Sequence, residues 1–108
     1  MHGKLDGVGR FASPWLLILT SLADGPKHGY AIMTDVADFS GVSMEPGTLY
    51  GALSRLERRG WVRPLATEDR RRPYQITAAG QEILAEQVAT MQQIVRVARL
   101  RTATAWGA

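Results

Sequence analysis

The sequence predicts a mainly α fold with a small β wing, a winged helix-turn-helix, extended by a long C-terminal dimerisation helix. Three observations predict it. Residues 13–60 hold three helix-length stretches, each apolar on one side and closed by a breaker. The period then shortens to that of two brief strands, 61–65 and 73–77, around a polar basic loop. A heptad-spaced apolar stripe follows Thr77. This divides the chain into an arm (1–12), a winged domain (13–77), a long helix (78–102) and a tail (103–108).

The arm carries Gly3, Gly7 and Gly9 and no period, which predicts a flexible segment with Phe11 packing back. Ser13-Pro14 reads as an N-cap followed by proline at the first helical position, where a missing N–H costs nothing. The first helix runs to about Ala23. Trp15, Leu16, Ile18, Leu19 and Leu22 cover so much of its circumference that it belongs at the centre of the core. Asp24-Gly25-Pro26 stops it. The second helix spans about His28 to Asp38, with Tyr30, Met33 and Ala37 on one side and Ile32 and Val36 beside them, and Phe39-Ser40-Gly41 closes it. Pro46 opens the third helix and Gly60 ends it at the usual C-terminal glycine position. Pro64 and Pro73 lack a ladder donor, so they belong at edges or ends of their strands. Thr77 caps the fourth helix.

With 108 residues and 45% hydrophobic content, the chain is one domain able to bury a core. It has no cysteine, which excludes disulfides, thiolate metal sites and a Cys nucleophile. Only His2 and His28 could ligate through imidazole, and no carboxylates cluster with them, so no metal site is expected. There is no phosphate-binding glycine loop, no dinucleotide fingerprint and no nucleophilic triad spacing. No enzyme activity and no cofactor are expected. The longest apolar run, Trp15 to Ala23, is far short of the roughly 20 residues of a membrane helix. Ser21-Leu22-Ala23 loosely resembles a signal cleavage site, but Asp6 interrupts the basic segment before it. The expected location is cytoplasmic, with no membrane partner.

The formal charge of +3 is unevenly placed. Residues 54–72 hold seven arginines against Glu57, Glu68 and Asp69, while the rest of the chain is slightly acidic. One lopsided patch favours a polyanionic partner. On the third helix, Leu49, Ala52, Leu53 and Leu56 share a narrow arc and make the buried face. The opposite arc carries Gly47, Gly51, Ser54 and Arg58, flanked by Tyr50 and Arg55, with Thr48 near the start. Two outward glycines cost about 1 kcal/mol each relative to alanine, but they permit close approach of another backbone. Hydroxyls and guanidiniums around them match what a helix needs in the DNA major groove. Arg70, Arg71 and Arg72, held between two strands, repel one another unless a phosphate backbone supplies the counter-charge. Lys27 and His28 are further candidate phosphate contacts, and helix capping is the other role open to His28. The competing reading is a winged-helix protein–protein module whose arginines meet an acidic partner; another is a solvated helix face with Glu57 as ion partner.

His28-Gly29-Tyr30-Ala31-Ile32-Met33 resembles the second-helix signature of the PadR-like transcriptional regulators. Glu45-Pro46-Gly47-Thr48-Leu49-Tyr50 and the residues to Glu57 resemble their recognition helix, and Arg70 to Gly80 their wing strand and the start of their last helix. Gly51 stands where the family usually has proline, Glu45 replaces a small hydroxyl residue, and Pro73 an aromatic or polar one. The resemblance implies a homodimeric repressor that binds operator DNA and is released by a small apolar or aromatic effector. It also implies that Thr48 and Tyr50 touch DNA.

Leu84, Val88, Met91, Val95 and Ala98 are spaced 4, 3, 4, 3 along the fourth helix. This heptad seam, widened by Ile83, Ile94, Val97 and Leu100, is expected to meet a second copy of the chain. Glu82 and Glu86 near its start and Arg96, Arg99 and Arg101 near its end suit the helix dipole. Multidrug-sensing members of the resembled family carry a stacking tryptophan in this helix, and counting from Gly80 puts Met91 at that position. Trp15, Met91 and Trp106 are the candidate effector-pocket residues.

Overall fold

The computed structural model describes residues 12–105. The arm, apart from Ala12, and Trp106 in the tail lie outside the described residues. Helix α1 (Pro14–Leu22) begins where expected, with Ser13 extended at the N-cap. The Ser13 hydroxyl makes no capping bond; its backbone carbonyl accepts from the Leu16 and Leu17 N–H groups instead. Leu17, Ile18, Leu19 and Leu22 are buried, and α1 touches every other helix, so it is the central element its apolar circumference requires.

The chain then forms a short strand that the residue pattern did not reveal. Strand β1 (Lys27–His28) pairs antiparallel with strand β3 (Pro73–Ile76), Lys27 opposite Tyr74 and His28 opposite Pro73. Strand β2 (Val62–Pro64) pairs on the other side of β3, so the sheet order is β1-β3-β2. Two residues are too few to show a period, and β1 acquires its form from its partner rather than from its own sequence. The second strand of the wing is therefore the middle of the sheet. Pro73 sits at its first position and Pro64 at the end of an edge strand, as their missing donors demand.

Helix α2 (Gly29–Ser40) starts one residue later and ends two residues later than expected, and Gly41 in the left-handed region (φ 77°) terminates it. Its buried side chains are Ile32 and Val36, whereas Tyr30 is 73% exposed. Helix α3 (Pro46–Arg58) buries Leu49, Ala52, Leu53 and Leu56, the four residues of the predicted arc. It ends in a Schellman motif: with Gly60 at φ 77°, the Gly60 N–H donates to Glu57 O (3.0 Å) and the Trp61 N–H to Leu56 O (3.0 Å).

Between β2 and β3 the wing tip is a two-residue turn. Glu68 and Arg71 exchange both backbone bonds (2.7 and 2.8 Å), and Asp69 and Arg70 both have positive φ, 47° and 65°. Positive φ at both central positions matches the twist of flanking antiparallel strands. Helix α4 (Ala78–Ala105) runs three residues past the expected Thr102. Thr77 caps it by accepting from the Gly80 N–H (3.1 Å), while its hydroxyl donates to Gly60 O (2.6 Å) and its N–H to Trp61 O (3.0 Å). One threonine thus joins the end of α3 to the start of α4. Ile83 and Leu84 close over the core, and beyond them α4 leaves the domain. No described helix is long and apolar enough to cross a membrane.

Candidate nucleic-acid interface

The wing turn, the start of α2 and the first turns of α3 meet around one hollow of about 400 Å³, lined by His28, Tyr30, Tyr50, Tyr74 and Arg70 to Arg72. Strand β1 is what brings His28 there: its pairing with Pro73 fixes the beginning of α2 against the wing. His28 is the N-cap of α2, with Nδ1 lying 3.4 Å from the Ala31 N–H, and Arg71 Nη1 lies 3.1 Å from its Nε2. Arg72 Nη1 donates to Leu65 O (3.2 Å), which holds the base of the wing. Burial and then the neighbouring Tyr50 push the Tyr74 phenol above its ordinary value, so it stays an O–H donor at neutral pH.

Among the described residues the only ion pair is Lys27 with Asp24 (2.5 Å). No described arginine of the patch has a carboxylate partner, and Glu57 does not fill that role. Arg55, Arg58, Arg59 and Arg70 to Arg72 are exposed cations, and among the described residues no carboxylate lies within ion-pair distance of them. Lys27, the other candidate phosphate contact, is engaged within its own chain. Its ammonium donates to Ser21 O at the end of α1 and to Asp24, whose carboxyl the hydrogen bond from Lys27, with its charge, holds below the usual range. It closes the turn between α1 and β1.

The outward arc of α3 is as open as its composition suggested. A Cβ on Gly47 would meet nothing within 4 Å, and one on Gly51 would meet only the Arg55 guanidinium at 3.8 Å. No contact among the described residues therefore explains these two glycines. Gly29 is the opposite case. A Cβ there would overlap the Tyr50 phenol oxygen and lie 2.8 Å from its Cζ. Tyr50 thus reaches across the bare backbone of α2, and its position depends on that glycine. Gly29→Ala is expected to displace Tyr50 and weaken duplex binding about tenfold, at a stability cost of only about 1 kcal/mol, because the obstructing atoms end a flexible side chain. Thermal melts and duplex titrations on one preparation check both numbers.

The predicted site residues do not all fall together. Arg55 and Arg59 line a second concavity with Pro14, Trp15 and Trp61, in which the two indole rings are 5.7 Å apart and Arg59 lies 5.2 Å over the Trp61 ring. Trp15 and Met91 were grouped as one effector pocket, but they line different surfaces: Met91 faces a groove along α4 with Val88, Val95 and Leu100. Trp15 instead pairs with Trp61, seated there by the turn that ends α3. In the heptad seam, Leu84 packs on the core of its own chain, so the uncovered stripe starts at Val88 (41% exposed) and continues through Met91 (42%) and Val95 (47%). Tyr30 and Tyr74 were missed as site residues. Tyr30 read as one side of the second helix with Met33 and Ala37, and the structure sets it in the same hollow as the wing arginines.

Comparisons with known proteins agree with this geometry. Residues 18–86 match the family model described as the Transcriptional regulator PadR-like family. An uncharacterized 37.1 kDa protein in transposon TN4556 of Streptomyces fradiae is 47% identical over 79 residues, 73% of this chain and 23% of that protein. The chain thus spans about a quarter of the length of that curated relative. A transcriptional regulator from Clostridium thermocellum has a similar structure, with a TM-score of 0.70, 26% identity and coverage of 80% of this chain and 86% of that one. A PadR family transcription regulator from Clostridium difficile shares the fold, with a TM-score of 0.73, 24% identity and coverage of 80% and 94%.

Proposed function

The chain belongs to the PadR-like family of transcriptional regulators, and from that premise we propose that it acts as a homodimeric repressor whose α3 and wing read a two-half-site operator. It is a regulator and not an enzyme. The observation that carries the reading is the junction of wing and α3: Arg70 to Arg72, His28 and Tyr50 around one hollow, beside an α3 arc bared by Gly47 and Gly51. The arc admits the floor of a major groove, with Thr48, Ser54 and Arg58 in reach of base edges, while the wing arginines lie against the flanking phosphates.

Two copies related by a twofold axis along α4 place two such heads about 34 Å apart, one helical turn of DNA. The stripe from Val88 to Leu100 is what the second copy covers. A small apolar or aromatic effector seated along this seam beside Met91 changes the angle between the long helices and so the spacing of the heads. That differential fit is the proposed route to release.

Arg71→Ala is expected to weaken binding to all duplex sequences alike and to lower the slope of log affinity against log salt by about 1. Arg58→Ala is expected to cost about 1–3 kcal/mol on the preferred sequence and to relax discrimination there. Fluorescence anisotropy with duplexes from the chain's own upstream region and of random sequence, over a range of salt, reads both. If neither substitution changes duplex affinity while an acidic polypeptide binds in a salt-dependent way, the arginines serve a protein partner instead.

A further inference from the structure

We propose that His28 and Arg71 together grip one phosphate of the DNA backbone, and that the His28 ring exchanges tautomers as the phosphate arrives. This deepens the DNA-binding reading and rests on it. A neutral imidazole has one N–H and one lone pair. In the free protein two donors approach it, the Ala31 N–H toward Nδ1 at 3.4 Å and Arg71 Nη1 toward Nε2 at 3.1 Å. It can accept from only one. The shorter approach gives Nε2 to Arg71, so the ring hydrogen sits on Nδ1 and faces the Ala31 N–H, a partly buried donor then left without an acceptor.

A phosphate oxygen removes the conflict. Arg71 turns its guanidinium to the anion. The ring proton leaves Nδ1 for solvent and another is taken up at Nε2, with no net change. Nε2–H then donates to phosphate, and Nδ1 accepts from Ala31. The protein's own groups cannot satisfy both donors through one neutral ring; with the anion present, Arg71 and the Ala31 N–H each have a fixed acceptor.

The side from which the anion enters follows from charge. His28 and Arg71 face two hollows. One contains Glu68, Asp69 and Lys27, whose charge is already paired with Asp24; the other contains Arg70, Arg72 and the Tyr50 and Tyr74 phenols. The anion enters the second, which borders α3. A strand whose phosphate rests there continues past the bared α3 arc, and for this reason we assign the site to a backbone phosphate and not to a free ion.

The test is long-range nitrogen–proton correlation of the histidine rings in the full-length protein, well above the ordinary histidine titration range. His28→Asn separates His28 from His2, the other histidine, and asparagine is itself a good N-cap. The probes are a random-sequence duplex two helical turns long and inorganic phosphate at the same phosphate concentration. The duplex is expected to swap the protonated nitrogen from Nδ1 to Nε2, and phosphate alone to leave it in place. Bound duplex with an unchanged ring overturns the grip and leaves the DNA-binding reading intact. A full swap by phosphate alone also overturns it, in favour of a free-anion site. No duplex binding overturns the DNA-binding reading beneath it. In parallel, His28→Asn and Arg71→Gln should each weaken duplex binding about tenfold, and the double variant little more than either. A hundredfold loss in the double variant would mean independent contacts and contradict the shared phosphate.

Discussion

Gly80→Ala is expected to destabilise the domain by about 3 kcal/mol, which lowers the melting temperature by roughly 10–20 °C. Gly80 is the buried residue in the first turn of α4. A Cβ there would overlap the Trp61 carbonyl oxygen, lie 3.0 Å from the Trp61 carbonyl carbon and 2.8 Å from Ile76 Cγ1. The Trp61 carbonyl cannot move aside, because it accepts from the Thr77 N–H (3.0 Å) in the same joint. Alanine is the better helix former by about 1 kcal/mol, which offsets only part of the overlap. The contrast with Gly29→Ala is diagnostic. Both changes add one methyl group beside a crowded site, but at Gly29 a phenol yields and at Gly80 a backbone must. A thermal melt that leaves Gly80→Ala within a few degrees of the parent protein would show that the first turn of α4 does not seat against Trp61 and Ile76 as described.

Val88→Glu has the second large effect. Val88 begins the uncovered stripe on α4 and lines the groove with Met91 and Val95. In a single chain it is half exposed, so a carboxylate there costs the monomer little. Against a second α4 the same charge is buried beside its own copy, with no cation on that stripe until Arg96. The substitution is expected to give a folded monomer by light scattering, with the melting temperature of the winged domain nearly unchanged. Loss of the second reading head removes the advantage of two linked sites, so affinity for a two-half-site duplex falls about a hundredfold or more. A variant that stays dimeric would place the subunit contact elsewhere.

How far the sequence reached depended on whether a feature is local. The buried arc of α3 was legible because four apolar positions at helical spacing leave one solution, and Gly60 followed by Trp61 marked its end. Thr77 as a cap and the two wing strands were legible for the same reason. Strand β1 was not, because two residues have no period and their form comes from β3. Tyr30 shares a side with Met33 and Ala37, but the core takes Ile32 and Val36, and Tyr30 lies about 160° around the helix from Ile32. The pairing of Lys27 with Asp24 was not legible because it closes across a turn that composition does not describe. Trp15 and Met91 were joined by chemistry alone. Their separation follows from the packing of Trp15 against Trp61, a contact made across the whole winged domain. The tautomer conflict at His28 arises only when β1, α2 and the wing come together.

Amide chemical-shift mapping with a duplex from the chain's own upstream region tests the central claim most directly. The predicted result is one contiguous set of perturbed residues, covering 28–30 at the start of α2, 47–54 on α3 and 69–74 on the wing, with the exposed stripe of α4 unmoved. Perturbation that skips either α3 or the wing, or an unperturbed spectrum at low salt, would contradict it.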